Sequence, residues 1–296
     1  MTRISEEIRN QFTQGDHLNR LILINVGVFV LLLIIKVFAA LFQAPGLLTG
    51  IMDWITLPSD PMTFITRPWT LVTYMFTHLD FFHILFNLLI LYFTGKIFLD
   101  FLGERRLLGT YLLGGLAGGI LFVISYNLFP LFTQSSSQHV LLGASAGVMA
   151  ILIGTAAYTP SLPVRLFFVL EVRLWVVALL VVLMDLAQIP VENPGGHIAH
   201  LGGAAMGYLI VRGLRTGKDY SEGFVRFWED FFQSLRGEKK VKKVYSKKRT
   251  GGFSKRDSVS EDTQERLNEI LDKIRQSGYE GLTKEEKEFL FKYSRK

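Results

Sequence analysis

The sequence of 296 residues contains no cysteine and comparatively little charge. The absence of cysteine excludes a disulfide scaffold, thiolate catalysis, iron–sulfur clusters and cysteine-ligated zinc. Charged residues make up only 20% of the chain, against about 25% in soluble domains, and the mean hydropathy is +0.31. This composition is typical of a membrane protein rather than of a soluble domain.

Six apolar runs are each about long enough to cross the roughly 30 Å hydrocarbon core of a bilayer. Their apolar residues are continuous rather than alternating, and only helices or closed barrels satisfy every backbone group in lipid, so each run predicts a helix. We therefore predict an all-α polytopic membrane protein, with a lead at 1–19 and a six-span bundle over 20–213. The predicted spans are 20–42, 82–101, 107–129, 140–159, 170–190 and 196–213.

The connection between the first two spans, residues 43–81, is long and rich in apolar side chains. Solvent-exposed loops are rarely so apolar, so we expect a folded element lying partly in the outer membrane face. Trp54 and Trp69 suit such a position, because tryptophan is enriched at membrane interfaces.

Basic residues mark one side of the predicted bundle. They occur in the lead, beside the connections after spans two and four, and after span six, whereas the opposite connections carry only Arg67. The positive-inside rule then places both termini in the cytoplasm, in a plasma membrane or bacterial inner membrane. The lead contains acidic residues and no small-residue cleavage site follows its apolar run, so we expect neither a transit peptide nor a cleaved signal.

The excess positive charge lies in residues 214–296, which hold 21 Lys+Arg and 15 Asp+Glu, whereas residues 1–213 hold 11 of each. Within 214–258, residues 221–236 have the apolar spacing of an amphipathic helix, and 236–256 contain ten cations and one acid. We expect 221–256 to lie on the inner leaflet and bind anionic lipid, with no nucleic-acid partner. Residues 259–296 predict a small cytoplasmic helical hairpin, with helix caps at Ser260 and in a capping box of Thr283 and Glu286.

Four of the six histidines fall near the outer ends of spans two and six, at His78, His83, His197 and His200. A titratable group at membrane depth is costly and indicates function. Gly143-Ala144-Ser145-Ala146-Gly147 opens span four at the same outer level. The topology can therefore bring Ser145 to these histidines.

A serine becomes a nucleophile when a base accepts its proton, and a neutral histidine can do so and then return the proton to a leaving amine. His83 and Asn87 are four residues apart on one helical face, so both can donate to a developing oxyanion. Each feature alone also fits structural packing, because Gly-x-Ser-x-Gly in an apolar helix is typical of close helix contacts. Their joint occurrence at one depth favours serine hydrolase chemistry.

These residues resemble the motifs of the rhomboid family of intramembrane serine proteases, and the resemblance extends from the first span to about residue 213. It rests on Trp69 nine residues before His78, His83-Ile-Leu-Phe-Asn87, Gly143-Ala-Ser145, and His197-Ile-Ala-His200-Leu-Gly-Gly.

The resemblance implies an endopeptidase that cleaves single-span transmembrane proteins near the outer membrane face without a cofactor. It implies that Ser145 is the nucleophile and His197 its base, without a required aspartate. It also implies an oxyanion hole of His83, Asn87 and the Ser145 amide, with His78 and His200 as possible supporting residues.

Several alternatives follow from the same residues. His200 competes with His197 for the role of base, and Asp185 can either orient a histidine or pack as a polar side chain. A second alternative function is that of a catalytically inactive rhomboid-like protein that binds membrane clients. Client binding does not require a serine and a histidine at these positions, so the presence of both Ser145 and His197 argues against it. A further alternative is a metal enzyme that uses the four outer histidines. The sequence lacks a His-Glu-x-x-His motif, and we expect no convincing carboxylate partner in the same outer layer and no metal.

Overall fold

The computed structural model describes residues 16–133, 139–166, 170–235 and 261–294. The predicted basic run at 236–256, the Ser260 cap and most of the lead lie outside these ranges. The chain divides into two compact units, Met1–Lys239 and Lys240–Lys296, which are described separately.

The first unit contains eleven helices in its described residues, of which six occur at the six predicted spans. The six are α1 (His17–Leu41), α5 (Phe81–Leu102), α6 (Glu104–Leu128), α8 (Ser145–Tyr158), α9 (Leu174–Gln188) and α10 (Pro194–Arg215). The others are α2 (Pro45–Ile55), α3 (Pro61–Thr66), α4 (Thr70–Thr73), α7 (Pro130–Thr133) and α11 (Tyr220–Leu235), with a 3₁₀ turn at Tyr74–Phe76.

Within the described ranges, three helices, α1, α5 and α6, have the length and apolar composition needed to cross a membrane. The helices α8 and α9 are apolar but shorter, with 14 and 15 residues. The chain is thus a mostly helical membrane protein.

The described residues are mostly helical, as predicted, but short strands stand where spans four and five were expected to begin as helices. Four short strands form two antiparallel pairs: β1 (Leu57–Pro58) with β2 (Val140–Leu141), and β3 (Pro163–Leu166) with β4 (Leu170–Arg173). Helix α8 therefore begins at Ser145 rather than at 140, and α9 at Leu174 rather than at 170. Gly143, with φ of +119°, separates β2 from α8, because this backbone conformation lies outside the helical region.

The centre of the unit is a close packing of α6, α8 and α10. Helix α8 is its innermost member, and ten of its 14 residues are buried. Glycines on α10 bring the two backbones together: a Cβ on Gly203 would collide with the Ala146 carbonyl oxygen, and one on Gly207 with that of Ala150. Small residues at such positions are the usual means of close helix contact in membranes.

The predicted first loop, residues 43–81, is folded into α2, β1, α3, α4 and the 3₁₀ turn. Trp54 and Trp69 stack with ring centroids 5.5 Å apart, and Trp69 Nε1 donates to the Trp54 carbonyl oxygen at 2.9 Å. The Arg67 guanidinium lies 4.9 Å from the Trp54 ring centroid. Both tryptophans remain partly exposed.

At the opposite end of the bundle, the amphipathic helix α11 packs against α6. Ser221 and Val225 are buried, and a Cβ on Gly109 would collide with the Ser221 carbonyl oxygen. Arg106 Nε donates to Asp219 at 2.6 Å, and Arg105 lies 3.6 Å from Glu229. Helix α11 is therefore attached to the bundle by buried contacts and by ion pairs.

The second unit contains α12 (Glu261–Ser277), a 3₁₀ turn (Tyr279–Gly281) and α13 (Lys284–Ser294). The predicted capping box is confirmed. The Thr283 N–H donates to Glu286 Oε2 at 2.7 Å, and the Glu286 N–H donates to Thr283 Oγ1 at 3.4 Å. Lys273 also donates to Glu286, at 2.9 Å, which joins the two helices.

Candidate active site

Ser145 is the first residue of α8, and no side chain caps this helix. The N–H groups of a first helical turn have no partner within the helix, so they are available to an acceptor beyond its end. The segment before Ser145 is held on two sides: the Gly143 N–H donates to the Tyr74 carbonyl oxygen at 2.9 Å, and β2 pairs with β1. Backbone contacts from the first loop thus fix the position of Ser145.

His78 completes this attachment. It is fully buried, and its Nε2 accepts a hydrogen bond from the Ala144 N–H at 3.2 Å. This contact requires a neutral ring with its proton on Nδ1. Burial, and to a lesser degree His83, lower the pKa of His78 to about 4, which keeps the ring neutral near pH 7. His78 therefore positions the residues before the serine.

His83 and Asn87 reach the site from the first turns of α5. Asp80 caps that helix by accepting from the His83 N–H at 2.8 Å. The His83 ring lies against Gly143: a Cβ there would be 2.9 Å from His83 Nε2 and 3.8 Å from Ser145 Oγ. Asn87 Nδ2 donates to the His83 carbonyl oxygen at 2.8 Å, which occupies one of the two amide hydrogens.

The other two histidines are on the first turns of α10, beside the end of α9. Asn193, with φ of 44°, caps α10 by accepting from the Gly196 N–H at 3.2 Å. Asp185 Oδ1 lies 2.7 Å from His197 Nδ1 and 2.8 Å from His200 Nδ1. One carboxylate oxygen therefore binds both histidines.

A cavity of about 590 Å³ brings most of the predicted site residues together. Its lining includes His83, Asn87, Ser145, His197 and His200, together with Asp80 and Asp185. His78 lies behind Ala144 and is not among the lining residues. The hydrogen bonds of the described residues do not include one between Ser145 and His197, and catalytic contacts often shorten only when substrate binds.

The expectation that the outer histidines have no convincing carboxylate partner is wrong, because Asp185 contacts both His197 and His200. Asp185, His197 and His200 offer one oxygen and two nitrogens within 4.8 Å of one another, a set that can hold a metal ion. Their oxygen–nitrogen separations of 2.7 and 2.8 Å are hydrogen-bond lengths. Ligands about 2.0–2.1 Å from a tetrahedral zinc lie roughly 3.3 Å apart, so the observed geometry is that of hydrogen-bonded side chains.

A family model described as the Rhomboid domain matches residues 66–216, which are 151 of the 296 residues. The chain belongs to the rhomboid family. A second model, described as a family of unknown function (DUF6576), matches residues 260–296, the region of α12 and α13. The rhomboid match covers every residue that lines the cavity.

Among curated proteins, the chain is similar to RHOMBOID-like protein 12, mitochondrial, of Arabidopsis thaliana. The two are 28% identical over 207 residues, which represent 67% of this chain and 58% of that protein. The chain therefore spans less than two thirds of this relative's length.

Proposed function

We propose that this rhomboid protein is an intramembrane serine endopeptidase with Ser145 as nucleophile and His197 as general base. The observation that supports it is the convergence of Ser145, His197, His83 and Asn87, from three helices, on one cavity. The proposed reaction is hydrolysis of a peptide bond. Water is the second substrate, and the mechanism requires no cofactor or metal.

In the proposed first step, the Ser145 Oγ–H proton passes to His197 Nε2 while an Oγ electron pair forms a bond to the scissile carbonyl carbon. The carbonyl π electrons move to its oxygen. The resulting tetrahedral intermediate collapses, the C–N bond breaks, and the amine leaves with the proton from His197. Water then attacks the acyl-enzyme by the same route, which releases the acid and restores Ser145.

A tetrahedral intermediate with an oxyanion forms once in acylation and once in deacylation. In both cases the oxyanion is proposed to accept hydrogen bonds from the Ser145 N–H, His83 and Asn87. The contact of His83 with Gly143 places its ring beside the serine. Asn87 retains one amide hydrogen after bonding the His83 carbonyl oxygen. Donors aimed at a developing negative charge stabilise the transition state more than the substrate.

The short central helix suggests how such a site lies below the membrane surface. Fourteen residues rise about 21 Å, which is less than roughly 30 Å of hydrocarbon, and α8 is shielded by α6 and α10. We propose that all six predicted runs span the bilayer and that Ser145 is recessed from its outer face. Single-span transmembrane proteins are the proposed substrates, because a peptide bond at that depth belongs to a chain in the bilayer.

The proposed orientation places the basic end of the bundle in the cytoplasm. Arg105 and Arg106 lie in the first turn of α6, just before the predicted span that starts at 107. Arg215 is the last residue of α10, and its guanidinium donates to the Ala157 carbonyl oxygen. These residues lie at the end opposite Ser145. Both termini are accordingly proposed to be cytoplasmic, in a plasma membrane or bacterial inner membrane.

Residues 221–256 are proposed to bind anionic lipid at the cytoplasmic leaflet. Helix α11 turns an apolar face outward, with exposed Phe227, Trp228, Phe231, Phe232 and Leu235. The following basic run adds about 1 kcal/mol of attraction per cation near an anionic surface. The 214–296 fragment is expected to co-sediment with anionic vesicles at low salt and to be released at high salt. Equal binding to zwitterionic vesicles, or none to anionic ones, would contradict this proposal.

The enzymatic proposal is tested with a helix-destabilised transmembrane reporter and purified protein in detergent. Wild type is expected to cleave it with or without a chelator, whereas Ser145→Ala and His197→Ala are expected to lose cleavage while remaining folded. His200→Ala should retain more activity than His197→Ala. Specific binding of the reporter without cleavage by wild type would instead support a client-binding protein, and inhibition by chelator would support a metal enzyme.

A further inference from the structure

The structure places a carboxylate where the proposed Ser–His dyad does not require one. Asp185 lies in the last turn of α9, and His197 and His200 lie in the first two turns of α10. We propose that Asp185 is a positioning residue that fixes the tautomer and orientation of His197, with His200 held on the same oxygen. This inference rests on the proposed role of His197 as general base.

The hydrogen bonds determine which nitrogen of His197 carries the proton. An ionised carboxylate only accepts hydrogen bonds, so a histidine in contact with it through Nδ1 must donate Nδ1–H. In a neutral His197 the proton is then on Nδ1, and Nε2 has a free lone pair. This is the tautomer that can accept the Ser145 proton.

The second histidine stabilises the same arrangement. His200 Nδ1 is 2.8 Å from the Asp185 oxygen that also contacts His197, and the two imidazole rings meet edge to face with centroids 5.6 Å apart. Because both donors converge on Oδ1, the carboxyl group cannot rotate without breaking two bonds. His200 therefore restrains Asp185, and Asp185 restrains His197.

The environment of Asp185 also favours an imidazolium at His197. The side chain is 8% exposed, and its Oδ2 is buried without a hydrogen-bond partner in the described part of the chain. The ion pairs of Asp185 among those residues are with the two histidines, and none involves lysine or arginine. Because no lysine or arginine among those residues neutralises the Asp185 carboxylate, its negative charge can stabilise the positive charge that His197 gains when it takes the serine proton.

The short connection between α9 and α10 explains how this geometry is held. Only residues 189–193 separate the two helices, and the Asn193 cap fixes the start of α10. The last turn of α9 and the first turn of α10 must therefore be neighbours. His197 and His200 are three residues apart on one helical face, which presents both rings to Asp185.

The test compares Asp185→Asn and Asp185→Glu with Asp100→Asn. Asp100 is exposed at the far end of α5, so its substitution is the same chemical change away from the site. Steady-state kcat and KM are measured for the transmembrane reporter between pH 5 and 9, with thermal unfolding as a fold control. The titratable groups that line the cavity, and so contribute to the profile, are Asp80, His83, Asp185, His197 and His200.

Asp185→Asn is expected to lower kcat by on the order of 10²–10⁴-fold with little change in KM, as when a triad aspartate is replaced. The acidic limb of its pH profile should move to lower pH, because a neutral amide stabilises a protonated His197 less than a carboxylate does. Asp185→Glu should recover part of kcat and the original limb, and Asp100→Asn should match wild type.

Two results would overturn the proposal. One is an Asp185→Asn variant with wild-type kcat and pH profile. The other is an equal loss of activity in Asp185→Asn and Asp185→Glu that matches the loss of folded protein, with the acidic limb of the pH profile unchanged. That result would make Asp185 a packing residue. Both results are interpreted after a comparison of wild type with Ser145→Ala, in which wild type cleaves the reporter and the variant does not. If wild type and Ser145→Ala do not differ, the proposed Ser145–His197 dyad is wrong, which is a separate failure from that of the role of Asp185.

Discussion

Replacing Gly143 by alanine should impair catalysis through His83. Gly143 has φ of +119°, a conformation that favours glycine, and a Cβ on it would lie 2.8 Å from His83 Cε1. Carbon atoms pack at about 3.5–4.0 Å, so the His83 ring must shift from its present position to admit the methyl group. The substitution thus displaces a proposed oxyanion donor while it keeps the side chains of Ser145 and His197.

The expected effect of Gly143→Ala has two parts, a loss of stability and a loss of turnover. Backbone strain of this kind destabilises the folded state by roughly 1–3 kcal/mol. Loss of one oxyanion donor lowers kcat by about 10²–10³-fold. The oxyanion forms only in the transition state, so kcat and kcat/KM should fall together while KM changes little.

Reporter cleavage by Gly143→Ala, His83→Ala and the double variant measures this effect, with thermal unfolding in parallel. If the methyl group acts through His83, the double variant should be no slower than the slower single variant. Gly27→Ala is the matched control, because Gly27 lies within α1 and a Cβ added to it would meet no atom within 4 Å. Wild-type kcat in a folded Gly143→Ala protein, or additive losses in the double variant, would refute the reasoning.

Three further predictions concern other parts of the chain. His83→Ala and Asn87→Ala should each lower kcat by about 10²–10³-fold while leaving residual cleavage, and unchanged kcat in both would exclude them from the oxyanion hole. The contribution of His78 to stability should fall by about 3 kcal/mol as pH falls from 6.5 to 4, because its lowered pKa makes the unfolded state bind the proton first. His78→Gln, which keeps an acceptor, should therefore show a smaller loss than wild type in thermal unfolding, and an identical pH slope would contradict this prediction. Deleting 237–296 should leave cleavage in detergent largely intact, since α11 and its ion pairs remain, and an inactive but folded truncation would place the tail in the catalytic fold.

The six helices could be predicted from continuous apolar runs, but the beginnings of α8 and α9 could not. Val140–Leu141 and Leu170–Arg173 are strands that adjoin apolar helices, so hydropathy gives no boundary between strand and helix. The partner of the first is Leu57–Pro58, more than 80 residues away. Gly143 was the available signal, because its separation of β2 from α8 depends on a positive φ.

The members of the site could likewise be predicted individually, whereas their hydrogen bonds could not. Ser145, His83 and His197 were identified from motif and depth, and the structure brings them to one cavity. The sharing of one Asp185 oxygen by two histidines depends on rotamers at the α9–α10 junction. The short connection at 189–193 does predict that Asp185 and His197 are neighbours.

The attachment of α11 was also not evident from the sequence. Arg105 and Arg106 fit the positive-inside rule as cytoplasmic charges, and they also form ion pairs with α11 and the segment before it. The available signal for that contact was the acids in and just before this helix, Asp219, Glu222 and Glu229, which can face the two arginines. Composition alone does not show which cations have partners.

The most direct test of the account is covalent labelling by a fluorophosphonate, which reacts with an activated serine. Wild-type protein in detergent should gain one label, and peptide mapping should place it on Ser145. Labelling should be lost in Ser145→Ala and strongly reduced in His197→Ala, at equal amounts of folded protein. Labelling of folded His197→Ala at the wild-type rate, or labelling that persists in Ser145→Ala, would contradict the proposed Ser145–His197 dyad.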